Sequence, residues 1–98
     1  MNRDDLIERL SSLKPVLESR GITHLAIYGS RSRGDQRPNS DLDMIVDVDP
    51  RARFSLLDLI GVEHLITNAT GIEARGVMRR SIPQKFQERV ASDLIEVF

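Results

Sequence analysis

The chain has 98 residues, 40% of them hydrophobic and 30% charged, with a net charge of −1. That length is near the size at which one core becomes self-sufficient, and so balanced a charge creates no global field for nucleic acid or an anionic membrane. The absence of cysteine excludes disulfides, thiolate metal sites and thiol catalysis.

The N-terminus, MNRDDLIERL, is charged from its third residue and lacks the apolar stretch of an export signal. No run approaches the ~18 apolar residues of a membrane span. One cytoplasmic domain over residues 1–98 is expected. Leu6, Ile7, Leu10, Leu13 and Leu17 recur at helical spacing and predict a helix over 4–20. Asn2 or Asp4 is placed to cap its start, and Gly21 follows its end. Pro15 removes a backbone donor inside it and predicts a kink or a split. Ile22–Tyr28, ITHLAIY, reads as a strand that Gly29 ends. Residues 34–40, GDQRPNS, are loop by composition.

Asp41–Val48, DLDMIVDV, alternates cleanly, and successive strand side chains point to opposite faces. Leu42, Met44, Val46 and Val48 share an apolar face that should pack under helices. Asp41, Asp43, Ile45 and Asp47 share the other. A helix over Phe54–Asn68 follows, with Phe54, Leu57, Ile60 and Leu65 among its core positions, and Gly71 after it. Ile72–Met78 is a weaker strand, diluted by Gly76. Pro83 opens a final helix carrying Phe86, Val90 and, toward its end, Leu94. The order α-β-loop-β-α-β-α predicts an α/β (α+β) fold, a small mixed sheet with helices on one face and the other face open for chemistry.

Two carboxylates at the start of a strand demand a partner, because burying charge is costly unless something pairs with it. Asp41 and Asp43 lie on one face with Cα atoms about 6.6 Å apart. Side chains so placed can converge on one divalent ion or straddle two. Magnesium takes one or two carboxylates and fills its octahedron with water and substrate phosphates, so the pair forms a half-site that a nucleoside triphosphate would complete. Gly29-Ser30 stands at the end of the preceding strand. If residues 30–34 begin a helical turn, its free N–H groups suit phosphate. Gly29 lets the backbone approach, the Ser30 hydroxyl adds a donor, and Arg31, Arg33 and Arg37 add positive charge. The frame G-S-x10-D-x-D should arise by chance in about one chain in a thousand of this length.

These residues carry a resemblance. Gly29-Ser30 followed by Asp41 and Asp43, within GSRSRG and NSDLDMIV, resembles the minimal nucleotidyltransferases of the DNA polymerase β superfamily, the MNT-type proteins. The resemblance implies the nucleotidyltransferase fold, Mg²⁺ and ATP. It also implies an antitoxin paired in a hetero-oligomer with a HEPN-type ribonuclease toxin, and in some members AMP transfer from ATP to a tyrosine of that toxin. It assigns Asp41 and Asp43 to metal binding and catalysis, Gly29 and Ser30 to the β- and γ-phosphates, and Arg33 to a secondary phosphate contact. Active members carry a third acidic residue on a later strand. The corresponding segment here is GIEARGVMRRSI, where Arg75 occupies that position. Either Glu73, two residues earlier, supplies the third carboxylate to the metal, or Arg75 pairs with Asp41 or Asp43 and the site is weakened.

Elsewhere, Asp47 and Asp49 read as loop-entry charges, and Arg31 and Arg37 as solvated or phosphate-binding. His24 and His64 have no second ligand at metal spacing and read as structural or exposed. Arg75, Arg79, Arg80, Lys85 and Arg89 make the later part locally basic, which is ordinarily a solvated face. Tyr28, Phe54, Phe86 and Phe98 are scattered and give no ladder for stacking bases. That argues against a nucleic-acid acceptor and for a partner protein. Two functions stay open: an adenylyltransferase acting on its partner, and an antitoxin of the same fold that neutralises its toxin by binding alone.

Overall fold

The computed structural model covers Met1 through Phe98. The predicted N-terminal helix is two helices, α1 (Arg3–Ser12) and α2 (Lys14–Ser19). Asn2 caps α1, its side-chain oxygen accepting from Asp5 N at 2.8 Å. Pro15 explains the split. Its missing N–H would break a continuous helix, but in the first turn of a new one no intrahelical acceptor is waiting for it. Leu6, Leu10 and Leu17 all remain buried across the break.

The chain continues through β1 (Ile22–Tyr28), α3 (Ser30–Arg33), β2 (Leu42–Val48), α4 (Leu56–Thr70) and β3 (Ala74–Met78). A 3₁₀ turn (Arg79–Ser81), α5 (Gln84–Val90) and β4 (Ile95–Glu96) complete it. The sheet order is β3-β2-β1-β4. β1 runs antiparallel to β2 and β4, whereas β2 and β3 are parallel, so the sheet is mixed as expected. A parallel pair needs a crossover, and α4 supplies it. In β1 the pairing steps from Ile22↔Val48 to His24↔Asp47, which leaves Thr23 as an extra residue. This bulge turns Ile22 onto the same face as Leu25 and Ile27. That face, with Leu42, Met44, Val46 and Ala74, packs under α1, α2 and α4 as one apolar cluster.

Which face of α4 is buried differs from expectation. Leu57 is 79% exposed and Ile60 39%, while Leu59, Val62 and Ile66 enter the core. The cause lies at the helix start. Ser55 and Asp58 form a capping box, Ser55 N donating to Asp58 Oδ2 at 2.7 Å and Asp58 N to Ser55 Oγ at 3.3 Å. Phe54 therefore precedes the cap rather than lying in the helix, and it is buried together with Leu59, the pair of positions that staples a helix entry. Once Leu59 faces inward, Leu57 faces out. Leu65, half-buried, packs at the edge of the cluster.

Gly76 also has a packing role. A Cβ there would lie 3.2 Å from Leu59 Cδ1, so glycine lets α4 sit close on β3. Two α4 side chains cover backbone donors of this edge strand: Thr67 Oγ1 accepts from Ala74 N at 2.9 Å and Glu63 Oε2 from Gly76 N at 2.7 Å. β3 begins at Ala74, two residues later than predicted.

The second sheet face is only partly open. Ala26 and Ile45 are fully buried on it, and the Tyr28 ring meets Phe86 of α5 edge-on at 5.7 Å. Asp47 is no loop-entry charge; it lies within β2 and accepts from Arg79 Nε at 3.0 Å, and Arg79 also reaches Glu96 at 3.2 Å. α5 stops at Val90, short of Leu94, and the chain returns as β4 beside β1. What stays open is the end of the face that carries Asp41 and Asp43. No helix is long and apolar enough to cross a membrane.

Ile66→Ala is expected to cost about 2–5 kcal/mol of unfolding free energy. Leu57→Ser, at an exposed position, should stay within about 0.5 kcal/mol. Urea unfolding of both variants beside the unmodified chain checks the assignment of the buried face.

Candidate active site

The antiparallel pairing of β1 with β2 sets Tyr28 directly opposite Asp43. Gly29, the next residue, therefore turns the chain alongside the Asp43 carboxylate. Its φ of +80° suits glycine, and a Cβ there would stand 2.8 Å from Asp43 Oδ2. Glycine serves two needs at once, the turn and the close approach. α3 starts at Ser30 as expected, with the Gly29 carbonyl accepting from Ser32 N at 3.1 Å and Arg33 N at 3.0 Å. No side chain caps this end, and the first amides of a helix have no internal acceptors.

Asp41 immediately precedes β2, and Asp43 lies two residues on. Asp43 makes neither an ion pair nor a side-chain hydrogen bond within the chain. Burial, and then the Asp41 charge, push its carboxyl above the usual carboxylate range, with Arg75 opposing them. Burial and then Asp43 in turn push the Tyr28 hydroxyl up. Asp43 thus offers hard oxygen donors with no ion-pair partner, a type suited to a hard divalent cation.

The arginines of the loop do different work from one another. Arg31 is 6% exposed, and its Nε donates to Ser40 O at 2.9 Å. It ties the loop back just before Asp41 and so fixes where the carboxylates emerge. Arg37 is exposed and contributes its backbone N–H to Ser40 Oγ. Arg33 is engaged by Asp35 at 3.0 Å and Asp93 at 2.8 Å. Asp93 went unnoticed in the sequence. Its carboxylate holds Arg33 and its carbonyl accepts from the Ser32 hydroxyl, so the C-terminal segment anchors α3. Nothing in the local pattern around Asp93 marks this, because the contact is set only by the fold.

The fold shows what stands at the third position. In the parallel β2–β3 register Arg75 is opposite Asp43, and its Nε lies 2.8 Å from Asp41 Oδ2. Of the two arrangements left open by the sequence, the ion pair is the one formed. Glu73 precedes β3 with an exposed side chain, while its carbonyl accepts from Leu42 N at 2.8 Å. No three His, Asp or Glu side chains gather as a metal-binding group. His24 and His64 are exposed.

A Gly-Ser turn against paired carboxylates, on a mixed sheet, can hold a polyphosphate beside a cation. Residues 4–97 match the nucleotidyltransferase domain. The chain belongs to this family. Among its relatives, the protein adenylyltransferase MntA of Thermococcus cleftensis is 27% identical over 84 residues, covering 86% of this chain and 83% of that one. Two solved structures share the nucleotidyltransferase fold. One, a toxin–antitoxin with AMP-PNP, has a TM-score of 0.73 at 18% identity, over 100% of this chain and 73% of that one. The other is the Shewanella oneidensis HEPN toxin, tri-AMPylated, in complex with MNT antitoxin; its matching chain gives 0.70 at 13% identity, over 98% and 71%.

Gly29→Ala should destabilise this nucleotidyltransferase by about 1–3 kcal/mol, because it forces a strained φ and a clash with Asp43 together. Thermal unfolding measures it. Asp43 holds its proton to higher pH when folded than when unfolded. Its contribution to stability is therefore full below the ordinary carboxylate pKa and is lost as pH rises through the raised value. Asp43→Asn is expected to be more stable than the parent at about pH 7, with the gap closing in acid below about pH 4. Melting curves across that range show the sign.

Proposed function

We propose that this nucleotidyltransferase moves AMP from ATP to a hydroxyl on a partner protein, a HEPN-type toxin with which it forms a hetero-oligomer, and that it acts as the toxin's antitoxin. The observation that carries this reading is the direct apposition of Gly29 and Asp43, which puts a phosphate-accepting turn and a carboxylate pair around one point. The adenylyltransferase relative and the two toxin–antitoxin neighbours support the acceptor class.

In the reaction, the acceptor oxygen attacks the α-phosphorus in line. The bond from that phosphorus to the bridging oxygen breaks, pyrophosphate leaves, and the hydroxyl proton passes to water. A magnesium ion, when bound, supplies charge neutralisation at the phosphates and alignment of the displacement. Asp41 and Asp43 are the side chains that would hold it, and with only two protein carboxylates the rest of its ligands would have to come from water and the substrate. The amides at the start of α3 and the Ser30 hydroxyl hold the β- and γ-phosphates, and Gly29 admits them close to the backbone. Arg33 is a weaker contributor, since Asp35 and Asp93 already share its charge. Glu73 would join only through movement of its exposed side chain.

A second reading rests on the Arg75–Asp41 pair. A guanidinium bound to one carboxylate leaves less negative charge for a cation, so the same fold could neutralise its toxin by binding alone. Incubating the chain with its toxin, Mg²⁺ and ATP, and then weighing the toxin by mass spectrometry, separates the two. A gain of whole AMP moieties, lost in Asp41→Asn and Asp43→Asn, is the expected result. A toxin that is inhibited yet unmodified selects the binder.

A further inference from the structure

Arg75 differs from the other arginines around the sheet's open end. Arg31 is tied to Ser40 O and, more loosely, to Pro38 O; Arg33 is shared by Asp35 and Asp93; Arg79 is shared by Asp47 and Glu96. Arg75 has one side-chain partner, Asp41, reached through Nε alone. The side chains of this pair are 68% and 39% exposed. Exposed ion pairs are held weakly enough for a stronger anion to exchange them. Neither Nη makes a hydrogen bond within the chain, which leaves the forked edge of the guanidinium free, and that fork matches phosphate oxygens. Register places Arg75 beside Asp43, yet the guanidinium turns to Asp41 and Asp43 goes without an ion pair. The two carboxylates are thus inequivalent before any ligand arrives.

Resting on the reading of this site as a triphosphate site, we propose that Arg75 is a displaceable internal cation. With no nucleotide bound, it neutralises Asp41 and keeps divalent ions off that carboxylate. An incoming triphosphate draws the guanidinium onto its own oxygens and releases Asp41 to the metal. Nucleotide and metal then bind as a coupled pair, each favouring the other through one arginine that changes partners.

The experiment measures Mn²⁺ binding to the full-length chain by electron paramagnetic resonance, and AMP-PNP binding by calorimetry, each alone and then together. Arg75→Gln should bind Mn²⁺ alone about tenfold more tightly than the parent and metal-free AMP-PNP several-fold more weakly, with less coupling between them. Arg75→Lys, which keeps the charge, should restore weak binding of Mn²⁺ alone. In an Asp41→Asn background, Arg75→Gln should raise Mn²⁺ affinity by much less than it does in the parent, because the larger part of the effect passes through Asp41 and only the weaker field at Asp43 remains. If Arg75→Gln changes neither affinity in a chain that still binds Mn²⁺ with AMP-PNP, the displaceable-cation proposal is overturned and the triphosphate site stands. An equal gain in the Asp41→Asn background also overturns it. If neither probe binds the parent or any variant, both the proposal and the reading beneath it are overturned.

Discussion

The site depends on one close approach, that of the Gly29 backbone to the Asp43 carboxylate across the β1–β2 pair. Antiparallel pairing fixes which residues lie opposite, so the end of β1 and the start of β2 cannot slide apart without moving every core side chain to the wrong face. The buried stripe of Leu25, Ile27, Met44 and Val46 thereby holds two polar groups in place that would otherwise separate. The geometry of this candidate site is borrowed from hydrophobic register.

Around that approach the remaining parts act as fasteners. Arg31 draws the 34–40 loop down so that Asp41 emerges beside β3, and the C-terminal segment holds α3 through Asp93. The fasteners are arginines meeting carbonyls and carboxylates, whereas the carboxylates facing the open end have only one arginine between them. Asp43 itself has none as an ion-pair partner.

Much of this was legible in the sequence, for reasons that differ by element. β2 was readable because strict alternation has a single solution for each face, β1 because a short β-branched and aromatic run ends at Gly29, and the Gly-Ser and Asp-x-Asp pattern sits at their ends. Pro15 announced the break it causes. The buried side of α4 was not readable from spacing, because Leu56, Leu57, Leu59 and Ile60 fit more than one apolar stripe. The deciding signal was the capping box at Ser55 and Asp58, together with Phe54 and Leu59. β4 has two residues and no pattern of its own. The Arg79–Asp47 and Arg33–Asp93 pairs join residues far apart in the chain, which no local reading reaches. Arg75 stood out in the sequence as a departure, but its choice of Asp41 over Asp43 required the fold.

The way α4 lies along β3 has a further consequence. With Thr67 and Glu63 accepting from Ala74 and Gly76, one border of the sheet offers an incoming strand few free donors, and β4 at the other border is only two residues long. Neither margin is a template for β-augmentation, which protects the sheet from runaway polymerisation. A protein that docked on this sheet would have to read side chains on a face or at a loop rather than pair with a strand edge.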